Sequence, residues 1–237
     1  MITKIINSLE LRWAKTNSNR YIDYLKKRHI KVGSGCFFRN LKTIDIDLTR
    51  PSLIEIGNNV YFLDNFTLLT HDFATRIFLN LFDEFVPSSG KVFIGNNVYF
   101  ARKCTVLKGV TIGDNCIFGY GSTITRDIPA NSVAAGTPAK VICTIEEYYQ
   151  KRCKISIEEA FIYARSIKER FGRMPVAEDF WEEFPLFVNG NEMDTYPNHF
   201  ENQMQIQLGD ALYNWKQNHK AVFRNFDEFI GHAFSDQ

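Results

Sequence analysis

No apolar run in this sequence approaches the roughly 18 residues that a membrane-crossing helix needs. The first residues, MITKIINSLELRWAKTNSNR, contain no apolar block followed by a cleavage site, so they do not read as a secretory signal. An excess of charge of one sign is also missing. The formal net charge is +1, and no basic run is interleaved with aromatics, which argues against nucleic acid as a partner. Cysteine is sparse, at positions 36, 104, 116, 143 and 153, and no two form a C-x-x-C pair. Neither a disulfide framework nor a zinc site is therefore expected. Together these absences lead to the expectation of a cytoplasmic protein without a transmembrane segment or a metal. IINSLELRW is amphipathic, and a helix packed on the protein's own core is preferred over one lying on a membrane.

What is present is a period. From Ile94, every sixth residue is apolar: Ile94, Phe100, Val106, Ile112, Phe118 and Ile124. Four residues after the first five of these come Val98, Cys104, Val110, Cys116 and Ser122, all small or β-branched. The same phase runs through Ile56, Phe62 and Leu68, and Val32 and Phe38 extend it backward. IGNNVYF occurs twice, at 56–62 and at 94–100. A period of six is neither helical nor a simple alternation. It suits short strands that turn a corner once per repeat, three repeats to a coil, with coils stacked around a continuous apolar interior. Two and three positions after the anchors stand Asn58-Asn59, Asp64-Asn65, Asn96-Asn97, Lys108-Gly109, Asp114-Asn115 and Tyr120-Gly121. Asn and Gly tolerate the positive φ that tight corners demand. General connectivity rules favour a right-handed coil.

The rhythm breaks at LLTHDFATR. The corner after Leu68 falls on Thr70-His71, and the phase resumes only at Ile94. A segment near 74–90 therefore leaves the coil. Its sequence, ATRIFLNLFDEFVPSSG, is too rich in Phe and Leu for disorder and is expected to pack on a neighbouring subunit or on the C-terminal tail. His71 alone among the five histidines lies within the regular repeats, beside this extruded loop. Position alone leaves open an exposed corner histidine with no role.

Residues 94–142, IGNNVYFARKCTVLKGVTIGDNCIFGYGSTITRDIPANSVAAGTPAKVI, resemble the hexapeptide-repeat acyltransferases. The sugar O-acetyltransferase branch, with its galactoside, maltose and polysaccharide-modifying enzymes, is the nearest in pattern. GYGSTITRDIP followed by AAGTPAKVI carries most of that likeness, which extends over roughly residues 30–145. The resemblance implies a left-handed parallel β-helix, an exception to the usual hand. It also implies a homotrimer with active sites in the clefts between subunits, and acetyl-CoA as acyl donor. In the family, a histidine at the cleft edge just before an extended loop is the catalytic base, and His71 fits that place. Neutral imidazole could then accept a sugar hydroxyl's proton during direct acyl transfer. Ala101, Arg102, Gly119, Tyr120, Thr125, Arg126 and Lys140 match family positions around coenzyme A. Tyr120 is bulkier than the family's usual residue, Ala101 stands where Gly is usual, and a family basic position falls on Cys143. Asp64 and Asn65, one repeat before His71, and Asp72 beside it are candidate acceptor ligands. A carboxylate or a backbone carbonyl is expected to orient His71, with Asp72 a candidate by adjacency.

The expected organisation is an N-terminal helical segment (1–30), the β-helix (31–145) and a helical extension (146–237). In the extension, Ser156 and Glu159 read as a capping box opening a helix that ends at Gly172. Ala160, Ile162, Tyr163, Ile167 and Phe171 recur on it at helical spacing. Pro175 reads as the first turn of another helix, and further helices are expected near 201–218 and 225–234. Phe180, Trp181, Phe184 and Trp215 are read as a small core rather than as sugar-stacking rings. Competing functions are N-acetylation of an amino sugar and a non-catalytic trimeric scaffold. A zinc carbonic anhydrase on the same kind of coil would need three histidines, and the coil region offers one.

Overall fold

A computed structural model describes residues 9–195, 204 and 208–235. The chain divides into two compact units, Met1–Tyr149 and Gln150–Gln237.

The first unit is built as the six-residue period requires. Three parallel sheets share the strands in rotation, numbered here along the chain. One sheet holds β1 (Lys31–Val32), β4 (Ile54–Ile56), β7 (Val92–Ile94) and β10 (Thr111–Ile112). The second holds β2 (Phe37–Phe38), β5 (Val60–Phe62), β8 (Val98–Phe100), β11 (Cys116–Phe118) and β13 (Ser132–Ala135). It ends in an antiparallel strand, β14 (Lys140–Thr144). The third holds β3 (Asp45–Ile46), β6 (Thr67–Leu68), β9 (Thr105–Val106) and β12 (Thr123–Ile124). Register is pinned by the repeat: Tyr61 faces Tyr99 and Tyr99 faces Ile117, so each anchor stacks on the equivalent anchor one coil away. All the anchors from Val32 to Ile124 are buried, as are Cys104, Cys116 and Ser122. The four aromatic anchors form one column, Phe38–Phe62–Phe100–Phe118, with centroids 4.4, 5.4 and 4.9 Å apart and rings nearly parallel.

The corners follow the expectation drawn from Asn and Gly. Asn59, Asn65, Asn97, Gly109, Asn115 and Gly121 all have positive φ, and Lys103 joins them at 63°. One vertex carries an amide ladder, Asn97 Nδ2 to Asn115 Oδ1 at 2.9 Å and Asn115 Nδ2 to Asn131 Oδ1 at 2.8 Å. Coils approach closely beside it: a Cβ on Gly57 would stand 2.6 Å from the carbonyl oxygen of Gly95. Asn97→Ala should destabilise this unit by about 2 kcal/mol, since it adds left-handed strain and removes a ladder bond. Asn97→Gly, which keeps the backbone freedom, should cost about half as much. Urea denaturation of both variants checks the ordering.

The excursion from the coil is more than a loop. Residues Thr75–Phe82 form helix α2 (α1 being Ser18–Lys27, near the start of the coil), and an antiparallel bridge between His71 and Ser89 pinches its base. Phe73, Ile77, Leu81, Phe82 and Phe85 are exposed. Toward the N-terminus, α1 covers the first coil, with the Tyr21 ring edge-on to Phe38 at 5.2 Å. A further helical stretch covers 9–14; residues 1–8 of the expected N-terminal segment lie outside the described residues.

Helix α3 (Ile145–Phe171) starts earlier than Ser156. Thr144 and Glu147 form the reciprocal cap, Thr144 N donating to Glu147 Oε2 at 2.8 Å and Glu147 N to Thr144 Oγ1 at 3.1 Å. Ser156 sits mid-helix and donates to the Cys153 carbonyl. Ser156 and Glu159 carry the spacing of a cap, but the helix is already under way when it reaches them. The helix does stop at Gly172, at φ 65°. Its buried stripe is Ala160, Ala164 and Ile167, while Ile162, Tyr163 and Phe171 lie off it.

In the second unit Pro175 opens no α-helix. Short 3-10 turns follow instead, at Ala177–Asp179, Phe184–Leu186 and Gly190–Thr195. Helices α4 (Leu212–Asn218) and α5 (Phe226–Phe234) occur within the expected stretches; residues 201–203 and 205–207 of the first stretch lie outside the described residues. Phe180, Phe184, Phe187 and Phe229 are buried in this unit's core, Trp215 packs against it, and Trp181 is exposed. No helix among the described residues is long and apolar enough to cross a membrane.

Candidate active site

His71 stands at the vertex where the third sheet hands over to the first. The corners at Asn97, Lys103, Gly109, Asn115 and Gly121 each return the chain to the coil through a residue of positive φ; here the chain leaves for α2 instead. The Thr70 carbonyl takes the Gly90 N–H at 2.9 Å on the return, closing the excursion. The imidazole is mostly covered, with 14% of its side chain exposed.

Below it lies a carboxylate that adjacency in sequence did not point to. Asp47 follows β3, one coil earlier, and its side chain is 4% exposed. His71 Nδ1 is 2.5 Å from Asp47 Oδ2 and 3.3 Å from Thr49 Oγ1. Thr49 gives Asp47 Oδ1 two bonds, from N at 2.9 Å and from Oγ1 at 2.6 Å. The fully buried Thr70 gives Oδ2 two more, from N at 3.1 Å and from its hydroxyl. Burial acts to raise the Asp47 carboxyl, but hydrogen bonds from Thr49, Thr70 and His71 outweigh it and hold the group well below the usual carboxylate range. An ionised carboxylate has no proton to donate, so the proton in the pair sits on Nδ1. Nε2 is then the basic nitrogen, and it has no partner among the described residues.

That pairing has a pH signature. Asp47 titrates lower folded than unfolded, so the stability it contributes is present above pH about 4 and lost as pH falls through its folded value. Asp47→Asn should therefore flatten the acid limb of the stability curve below pH about 4. The same substitution lets an amide donate to Nδ1, which places the ring proton on Nε2 and leaves no base. Denaturation midpoints between pH 3 and 7, set beside turnover at pH 7, check both effects.

Asp72 does not reach the imidazole. It accepts from Lys108 Nζ, from Ser88 Oγ at 2.9 Å and from Ala74 N at 3.0 Å, and these bonds hold its carboxyl down at about 2. Asp72 thus anchors the excursion's base. Phe73 meets the His71 ring edge-on at 5.1 Å and is otherwise exposed. Asp64 and Asn65 do not share this vertex. A step of six residues is one third of a coil, so they turn the previous corner, between the second and third sheets. Asp64 there pairs with Arg102 at 3.0 Å and Arg39 at 3.7 Å.

The other candidates divide between two vertices. Ala101, Arg102, Gly119 and Tyr120 lie at the corner of Asp64. Tyr120 projects into solvent, with Lys103 Nζ 5.4 Å above its ring. Thr125 and Arg126 follow β12 at His71's vertex and are exposed, and Lys140 is exposed at the start of β14. The described residues contain no group of three or more His, Cys, Asp or Glu able to hold a metal.

The family of bacterial transferase hexapeptide (six repeats) matches residues 91–126. Protein CapG of Staphylococcus aureus is 36% identical over 146 residues, which span 62% of this chain and 83% of CapG. The chain belongs to the hexapeptide-repeat transferases. It is an acyltransferase, similar to named enzymes of this family. Galactoside O-acetyltransferase of Lactococcus lactis is 31% identical over 166 residues, covering 61% of this chain and 79% of that enzyme. Galactoside O-acetyltransferase of Escherichia coli is 37% identical over 131 residues, 54% of this chain and 62% of that enzyme. The second unit, Gln150–Gln237, lies beyond the residues that the family matches.

Proposed function

We propose that this acyltransferase moves an acetyl group from acetyl-CoA directly to a hydroxyl of a saccharide, in the cytoplasm, on a polysaccharide unit or its precursor. The observation that carries the reading is the His71–Asp47 pair, which fixes the tautomer and turns a basic Nε2 away from the carboxylate. His71 Nε2 accepts the hydroxyl proton as the oxygen attacks the thioester carbonyl. The C–O bond forms, the C–S bond breaks, and His71 returns the proton to the departing thiolate. Asp47 stays ionised and stabilises the transient imidazolium.

The coil is left-handed in this reading, and the working enzyme is a homotrimer. The separation of vertices supports the second point. His71 and the Arg102–Tyr120 corner lie on opposite edges of the third sheet, so one chain does not hold them around one groove, whereas a cleft between two copies can. The exposed residues fit coenzyme A's chemistry: Arg126 and Lys140 supply cations for its phosphates, and Tyr120 a ring for its adenine or arm. Arg102 is already paired with Asp64 and offers only part of its guanidinium.

A screen of saccharides with labelled acetyl-CoA tests the proposal. The expected product is an ester, labile to mild alkali. An alkali-stable product would mean an amide and an amino-sugar acceptor; no transfer to any saccharide, with hydrolysis alone, would remove the saccharide from the reading.

A further inference from the structure

The charge of this chain is nearly balanced overall and strongly unbalanced in one place. Between Leu9 and Lys31 seven basic residues stand against two acidic ones, with Trp13, Tyr21 and Tyr24 among them, while the whole chain has a formal charge of +1; the expectation that no basic run is interleaved with aromatics is thus corrected for this stretch. Lys15 reaches inward to the Ile44 carbonyl at 2.6 Å, but Arg12, Arg20, Lys26, Lys27 and Lys31 are exposed. The helical stretch over 9–14 packs by one edge only: Ala14 is buried and Leu11 lies against the core. Its other edge carries Leu9 and Trp13, each 59% exposed. The preference for a helix turned wholly onto its own core thus holds for one edge and fails for the other.

Between this edge and α1 lies an open groove of about 430 Å³. Its walls are aromatic and its rim cationic. The Arg20 guanidinium lies 4.8 Å over the Trp13 ring and that of Arg28 lies 4.9 Å over Tyr24. Lys26 and Lys27 complete the rim. Two carboxylates, Glu10 and Asp23, share it, and Glu10 engages Arg28 only at 3.7 Å. A ring and a leucine held in water beside a ring of cations are the features of an interfacial element: the apolar groups enter the boundary of the acyl chains while the cations meet phosphate. Each Lys or Arg near an anionic surface strengthens the attraction.

We infer that this N-terminal face docks the protein onto an anionic lipid surface, Leu9 and Trp13 entering the headgroup region and Arg20, Lys26, Lys27 and Arg28 reading lipid phosphate. The inference does not depend on the acceptor or on His71. A neutral protein partner would leave the surplus of cations unmatched, and duplex nucleic acid would leave Leu9 and Trp13 without an apolar medium.

Co-sedimentation of the full chain with vesicles tests it, using phosphatidylcholine alone and phosphatidylcholine with a third phosphatidylglycerol. Binding should be at least tenfold tighter to the anionic vesicles and should weaken as salt rises. Lys26→Glu with Lys27→Glu should reduce it at least tenfold, and Trp13→Ala severalfold, with the circular dichroism spectrum unchanged. If the double reversal does not fold, Arg20→Gln with Lys27→Gln serves, with the same direction expected. Four results would overturn the inference: no binding at millimolar lipid, equal binding to both vesicles, indifference to the substitutions, or tighter binding to a short RNA duplex than to vesicles. Release by millimolar inorganic phosphate beyond that by chloride of equal ionic strength would also overturn it, and would make the groove a small-anion site.

Discussion

His71→Ala lowers kcat for acetyl transfer by about two to four powers of ten, the range that a positioned general base contributes. The KM for acetyl-CoA should change little, because the imidazole is invoked for the proton and not for binding. The fold should survive. Asp47 keeps the four donors from Thr49 and Thr70 when the ring is gone, so no buried carboxylate is left bare. Thr70 and Gly90 still close the excursion through their backbone bond. Turnover near the wild-type level with an unchanged spectrum would remove His71 from the chemistry. A loss confined to KM would recast it as a binding group. His71→Gln is a useful companion: it retains a polar group at the vertex but cannot accept a proton near pH 7, so it should be as inactive as alanine.

The coil was legible because its signal is periodic and redundant. Any one of Ile94, Phe100 or Val106 could be an accident, but the anchors repeat in one phase and the corner asparagines repeat with them. The physical cause is that each coil must bury the same three edges. Asp47 was not legible for the opposite reason. Asp45 faces Thr67, an offset that is not a multiple of six, because the 3-10 turn at Pro51–Leu53 lengthens the path between them; the turn at Leu41–Thr43 shifts the phase just before Asp45. Counting by six from His71 does reach Asp47, 24 residues earlier, but four repeats are one and a third coils, so the count assigns it to another vertex rather than to the coil directly below. The available signal was chemical: Asp47 and Thr49 stand immediately after an apolar residue of strand character, and a buried acid in such a place needs a partner. Asp64 and Asn65, one repeat before His71, turn a different vertex of the same chain because one repeat is a third of a coil. The helix inside the excursion was hidden by its composition, since its apolar residues are exposed in this chain and follow no buried stripe.

Phe100→Ala should destabilise the coil unit by about 3–5 kcal/mol. Phe100 is fully buried and sits at the centre of the aromatic column, between Phe62 at 5.4 Å and Phe118 at 4.9 Å, with Phe66 wedged beside it at 4.9 Å. Removal of the ring leaves a void that its neighbours cannot fill, because each is fixed by strands paired on both sides. The adjacent residue supplies an internal control. Tyr99 occupies the same strand but faces outward and is partly exposed, so Tyr99→Ala should cost about 1 kcal/mol or less. The pair separates packing of the column from propensity of the strand, which both substitutions lower alike. Amide exchange in Cys116–Phe118 reads the result in the coil itself, without interference from the second unit. In a stacked array the cost should also fall on the neighbouring coils, so protection of Val60–Phe62 and Cys116–Phe118 should drop together. A loss of less than 1 kcal/mol for Phe100→Ala would mean that the coils can close on the void, and that the aromatic column is filling rather than framework.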